Sequence, residues 1–246
     1  MPWDPAIAPG PGPGAPLLIV CALGIERFAL LRGEARHGRG GHRAAGPAAG
    51  PVTGPVPVPA PGPPAGSVTV LRTGMGPRNA ERAVRAALDQ APLRHAAVLA
   101  AGFCGGLAPG MRPGDLVVAA ETRHGSAVVP CTDPGPLARA VAGAAPGHRV
   151  HTGPLTGTDH VVRGPERARL RAAGAIAADM ESAAVLLAAV RAGPRPVAAV
   201  RVIVDAPEHE LVRIGTVRGG ISAFRVLRSV LPAFHEWHRS LPLPRR

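Results

Sequence analysis

The chain has 246 residues, enough for one large domain with a substantial core. Hydrophobic residues make up 46%, yet six residues in all are aromatic and none is tyrosine, so Ala, Val, Leu and Ile must build that core. The net charge of +12 comes from 28 basic residues, all arginine and scattered along the chain; without clustering or aromatic interleaving they argue against a specific nucleic-acid partner, while leaving attraction to an anionic membrane surface or a phosphorylated ligand open.

Residues 1–16 are rich in Pro and Gly and read as a disordered tail. Leu17 to Leu23 reads as a buried first strand. At seven residues it is too short to span a bilayer, and it lacks the basic flank of a signal peptide. Three cysteines, Cys21, Cys104 and Cys131, have no metal-ligand spacing, and their odd number suits a reducing compartment. Together these features point to the cytoplasm, with no metal site. A helix is expected over Glu26 to Arg32. Residues 37–66 then read as a long Pro/Gly-rich loop, with a short edge strand near Val56 and Val58. One domain is expected to run from residue 17 to about 240.

From Ser67 onward apolar runs and helical stretches alternate. Strands are expected at Val68–Leu71, Ala96–Ala101, Leu116–Ala120, Ala127–Val129, His148–Thr152, Ala175–Ala178 and Val197–Val204. Helices are expected at Asn79–Gln90 and Leu137–Ala144, with others beginning at Pro165 and Ser182 and a last one over Gly219–His238. Such alternation predicts an α/β fold, a three-layer αβα sandwich around a mixed, mostly parallel twisted sheet. The last helix carries Phe224, Leu227, Val230, Leu231 and Phe234 on one face. That face either covers the sheet or touches a membrane.

Three carboxylates fall just after three strands: Glu26, Glu181 and Asp205. Ligands of α/β sheets bind outside the carboxyl ends of the strands, so one rim would collect all three. Glu181, in Asp179-Met180-Glu181-Ser182, offers two acceptor oxygens for two adjacent sugar hydroxyls; stabilising the following helix N-terminus is its alternative role. Asp205 closes a long apolar strand, which suits a general acid, and capping a turn is its alternative. Two glycine clusters, Gly74-Met75-Gly76 and Gly102 to Gly106, lie at strand ends, where bare backbone can approach a ligand or merely turn tightly.

In sequence order, Glu26-Arg27-Phe28-Ala29-Leu30-Leu31-Arg32, Thr73-Gly74-Met75-Gly76, Ala101-Gly102-Phe103-Cys104-Gly105-Gly106-Leu107, Pro113-Gly114-Asp115-Leu116-Val117-Val118, Asp179-Met180-Glu181-Ser182 and Arg201-Val202-Ile203-Val204-Asp205 resemble the nucleoside phosphorylase and nucleosidase superfamily, in its methylthioadenosine/adenosylhomocysteine nucleosidase branch. Within it the chain is similar to the hopanoid-associated phosphorylases, through Gly105-Gly106-Leu107 leading into Arg112-Pro113-Gly114-Asp115, the Met-Glu-Ser form of the ribose motif, and Asp205-Ala206-Pro207. Members of that group are thought to remove adenine from adenosylhopane; the alternatives are a nucleosidase for methylthioadenosine, adenosylhomocysteine or futalosine, or a nucleoside-binding module that has lost activity.

The resemblance implies a role for each matching residue. Asp205 would donate a proton to N7 of the leaving adenine, a transfer typically worth roughly 10² to 10⁴-fold in rate. Glu26 would activate water. Glu181 would hold the ribose hydroxyls, and Met180 would pack on the ribose. Gly74, Met75 and Gly76 would line the ribose or anion side, and Phe103, Cys104 and Gly105 the base side. Where nucleosidases stack an aromatic ring on adenine, this chain has Gly157-Thr158-Asp159-His160-Val161-Val162, leaving His160 to stack or to serve as an ordinary loop residue.

Phosphorylases of the superfamily carry an arginine two residues before the glycine matching Gly102; here Ala100 takes that place. Arg27, Arg72 and Arg78 are left as candidates to hold phosphate as a co-substrate, and water is favoured as the nucleophile. No organic cofactor is expected. The resemblance also implies a homodimer, because a neighbouring subunit helps to close the 5′ pocket in relatives. A lipid-linked nucleoside would add peripheral membrane contact.

Overall fold

The computed structural model describes residues 15–41, 66–207 and 216–241, with the side chains of 36–41 and 216–221 left aside. Most of the tail expected over 1–16 lies outside them, as do the loop from 42 to 65 and the edge strand near Val56 and Val58.

Eight strands form one sheet: β1 Leu17–Cys21, β2 Val68–Arg72, β3 Ala97–Gly106, β4 Leu116–His124, β5 Ala127–Pro130, β6 Val150–Gly157, β7 Ala177–Asp179 and β8 Val197–Asp205. Around them pack α1 Gly24–Gly41, α2 Pro77–Leu88, α3 Pro134–Ala144, α4 Pro165–Ala172, α5 Ser182–Arg191, α6 Thr216–Ser229 and α7 Leu231–Ser240. Five of the eight strand pairings are parallel, which makes the sheet mixed and mostly parallel as expected.

The sheet also closes on itself. β3 pairs with β8, β8 with β4, β4 with β6, β6 with β7, and β7 returns to β3. β1 and β2 extend outward from β3, and β5 folds back on β4 through a two-residue turn. Closure works because β7 is three residues long and crosses the far end of β3, pairing Ala178 with Gly105.

The central strands are apolar on both faces, as strands covered on both sides must be. In β1, Leu18 and Val20 join one core while Leu17, Ile19 and Cys21 join the other. The first core meets α2 and α5 through Val84, Leu88, Val185 and Leu186. The second meets α1, α3, α6 and α7 through Leu30, Leu137, Val141, Leu227, Phe234 and Trp237. Two helical layers flanking one sheet are the expected three-layer sandwich.

Several boundaries differ from the sequence reading, including the ends of β4 at His124 and of β6 at Gly157. The first helix runs to Gly41, so residues 37–41 are helical where a loop was expected. β3 continues through the glycines to Gly106, because pairing with β8 and β7 supplies partners for a backbone that local propensity would leave free. The last helix is two helices broken at Val230. Pro232 lacks an N–H, and its ring collides with the carbonyl four residues earlier, so it begins α7 in the first turn, where that N–H is not needed. Leu227, Val230, Leu231 and Phe234 are all fully buried, so this face covers the sheet and is not free for a membrane.

Candidate active site

One cavity of about 280 Å³ opens where β1, β3, β7 and β8 end. Its lining includes Glu26, Met75, Phe103, Cys104, Gly105, His160, Val161, Met180, Glu181 and Asp205. Gly74 and Gly76 are not part of its lining; Gly76 serves Glu181 through its backbone N–H.

Glu26 sits in the first turn of α1 and is 2% exposed. Its Oε2 accepts hydrogen bonds from the backbone N–H of Ala22 at 2.9 Å and Leu23 at 2.8 Å, and its Oε1 from Phe103 N–H at 2.9 Å. Burial raises its pKa above the usual glutamate value, against the pull of Arg201 and those three donors. Gly102 makes room for it. That residue has a φ of +154°, and a Cβ there would lie 2.4 Å from both Glu26 Oε1 and Arg201 Nη1.

Glu181 precedes α5, yet its side chain does not cap that helix. Asp179 does so instead, with both carboxylate oxygens 3.2 Å from the Ser182 N–H. Glu181 Oε1 accepts from Gly76 N–H at 2.9 Å, which aims the carboxylate across the cavity from α5 to the loop before α2. Its pKa is raised as well, chiefly by burial. Between the two readings of Glu181, this geometry favours the one that keeps it for a ligand.

Arg201 is the organising residue that sequence reasoning gave no role. It lies in the middle of β8, 1% exposed, its Nε 2.7 Å from Asp179 Oδ2 and donating to Ser182 Oγ at 2.8 Å. Burial works against its charge, but Asp179, Glu181 and Glu26 surround it and the net effect raises its pKa. A lone arginine inside Val197-Ala-Ala-Val-Arg-Val-Ile-Val was the available signal, since an unpaired charge cannot stay in such a strand.

On the opposite side Asp205 ends β8, and its Oδ2 contacts the guanidinium of Arg167 from α4. The surroundings of Asp205 are therefore not apolar alone, as the sequence suggested. Nothing distinguished Arg167 beforehand: Arg169 and Arg171 share its short helix and are exposed, whereas Arg167 is 6% exposed.

His160, at the mouth, has Nδ1 2.6 Å from Asp159 Oδ1 and Nε2 2.9 Å from Glu166 Oε2. Hydrogen bonds to these two carboxylates raise its pKa. Cys104 is buried in the wall, and desolvation pushes its thiol well up, which leaves it a packing residue rather than a nucleophile. Arg27, Arg72 and Arg78 are exposed and lie off the cavity wall, and Ala100 is sealed in the core. Among the described residues no His, Cys, Asp and Glu cluster could hold a metal ion.

The model of the phosphorylase superfamily matches residues 16–231. The chain belongs to that superfamily. Several solved structures share its fold. Futalosine hydrolase of Helicobacter pylori strain 26695 superposes with a TM-score of 0.67 at 16% identity, covering 91% of this chain and 98% of its own. The 5′-methylthioadenosine/S-adenosylhomocysteine nucleosidase of Neisseria meningitidis, in complex with methylthio-immucillin-A, gives 0.61 at 18% identity, with 88% and 98% covered. The corresponding Colwellia psychrerythraea 34H nucleosidase, in complex with adenine, gives 0.62 at 17% identity, with 89% and 96% covered. Among curated proteins no sequence is similar enough to match.

Proposed function

We propose that this protein cleaves the N-glycosidic bond of an adenine nucleoside carrying a bulky 5′ substituent, releasing adenine, with adenosylhopane as the substrate. The strongest support is the convergence of Glu26, Glu181 and Asp205, from three different strand ends, on one largely apolar cavity. Glu181 binds the ribose hydroxyls and faces the positive charge that grows on the sugar. Asp205 meets the N7 edge of the departing base. Glu26 takes a proton from the attacking water, and its raised pKa makes it a stronger base than an ordinary glutamate.

Water is favoured over phosphate because the candidate phosphate arginines lie off the cavity wall. Arg201 holds Asp179 and Ser182 through its Nε and is not part of the cavity wall. The cavity falls just below the range of about 300–1,000 Å³ that takes a drug-sized ligand, so a hopane would lie outside it. Met75 and Val161 at the mouth, 55% and 56% exposed, supply apolar surface in its path. A homodimer is the assembly we expect, and sedimentation would test it. Fold likeness to methylthioadenosine/adenosylhomocysteine nucleosidase and futalosine hydrolase supports a second reading, with the same chemistry on those substrates.

The deciding assay is adenine release from adenosylhopane in detergent, with and without phosphate, the sugar product identified by mass spectrometry. Free ribosylhopane in both buffers is expected. A phosphoribosyl product formed only with phosphate would overturn the choice of nucleophile. No adenine in either buffer would sink the hopane substrate, and methylthioadenosine, adenosylhomocysteine and futalosine would be tried next.

A further inference from the structure

Part of the cavity wall is a loop. Residues 158–164 join β6 to α4, and Thr158, His160, Val161 and Val162 of that loop line the cavity. Two tethers hold it. At its start Thr158 N–H donates to the Asp179 carbonyl at 2.8 Å, and Thr158 Oγ1 donates to the His160 carbonyl at 2.8 Å. Further on, His160 is bound at both ring nitrogens, Nδ1 2.6 Å from Asp159 Oδ1 and Nε2 2.9 Å from Glu166 Oε2. Glu166 lies in the first turn of α4, so this second tether joins the loop to the helix.

The two tethers differ in kind. An ionised carboxylate accepts and does not donate, so an imidazole meets two of them with an N–H only when both its nitrogens are protonated. The neutral ring has one N–H and sets a lone pair against the other carboxylate. The second tether therefore depends on a proton, and the Thr158 tether does not. Facing the ring are Asp159 from its own loop and Glu166 from α4. His124, at the end of β4, acts on Asp159 and is bound through Nδ1 to the Gly157 carbonyl. Arg167, next along α4, turns inward to Asp205. Hydrogen bonds to Asp159 and then to Glu166 raise the His160 pKa above the usual 6.5.

We propose that Asp159, His160 and Glu166 form a proton-operated clasp at the cavity mouth: the imidazolium ties the loop to α4, and loss of its proton frees the loop. The clasp is fully closed below the ordinary histidine value and is lost as pH rises through the elevated one. Val161 and Val162 move with the loop, so the clasp governs access to the cavity rather than the chemistry inside it. Asp159 and Glu166 are positioning residues that act through His160. The clasp does not depend on which ligand the cavity takes; its effect on turnover rests on the nucleoside-cleavage reading above.

NMR on the full chain tests this without a ligand. His160, identified by the resonance lost in His160→Gln, should titrate above 6.5, with both ring nitrogens protonated below its midpoint. Amide relaxation should show residues 158–163 gaining mobility only above that midpoint. Glu166→Gln, whose amide can accept from or donate to Nε2, should lower the midpoint and make loop mobility independent of pH. Glu166→Ala should free the loop at every pH. With free adenine as the probe, association in wild type should speed up by about 2- to 5-fold across the titration, the scale of an exposed charged pair. A His160 that titrates at or below 6.5, or loop mobility that ignores its titration, would overturn the clasp. Adenine association that ignores pH while the loop opens would overturn its role in access. Mobility that follows the titration in a protein that binds no adenine would leave the clasp standing and sink the nucleoside reading.

Discussion

At the scale of single residues, Glu26 is asked to be ionised in a place that resists ionisation. Burial raises its pKa, so its basic form is lost earlier on acidification than that of an exposed glutamate. Activity, kcat/KM, should therefore fall as pH drops through that raised value. Stability should move the other way. A carboxyl whose folded-state pKa lies above its unfolded value favours the native state when protonated. Its contribution is fully present below the ordinary value of 4.5 and is lost as pH rises through the elevated one. Glu26→Gln removes the titration, and the misfit of its amide among three N–H donors adds an offset that does not vary with pH. The unfolding free energy of the variant relative to wild type should thus improve with rising pH across that window, while kcat drops by roughly 10² to 10⁴-fold. Denaturation curves at several pH values check this; a difference that stays flat would show that Glu26 is not the strained group.

At the scale of elements, β7 and α5 are joined to β8 through Asp179, which caps α5 and pairs with Arg201. Asp179→Ala removes the one carboxylate paired directly with a fully buried arginine, and should cost about 3–5 kcal/mol in urea denaturation; a loss below about 1 kcal/mol would mean that Glu26 and Glu181 suffice to hold Arg201. How much of this was legible beforehand follows from what each signal depends on. Apolar runs such as Val197 to Val204, broken by Arg201 alone, and the Ser182 to Arg191 helix, were readable because local pattern decides them. The continuation of β3 through five residues of mostly glycine was not, because pairing with β7 and β8 decides it. The same division holds in the site. Glu26, Glu181 and Asp205 could be read from their place after strands. Arg167 could not, since only the tertiary fold distinguishes it from Arg169 and Arg171.

At the scale of the whole molecule, the charge of +12 and the exposed face of α1 bear on how a lipid-linked substrate would be met. Leu23 and Glu26 face the cavity, while Ile25, Phe28 and Leu31, 48%, 49% and 40% exposed, form a stripe on the outer side of the same helix. Exposed Arg27, Arg32 and Arg72 flank it, with Arg32 stacked 4.8 Å above the Phe28 ring. Apolar side chains bordered by cations complement an anionic lipid surface, where each arginine contributes about 1 kcal/mol within a Debye length. The protein should co-sediment with phosphatidylserine-containing vesicles and release as salt rises. Replacing Ile25 and Phe28 together by Asp should weaken that binding by about 10-fold or more. Cleavage of a water-soluble nucleoside should be unaffected, because neither side chain lines the cavity. Wild type that ignores vesicles at low salt would overturn this surface assignment, and so would a double variant whose main effect is to turn a dimer into monomers, which would make the α1 stripe a contact between copies.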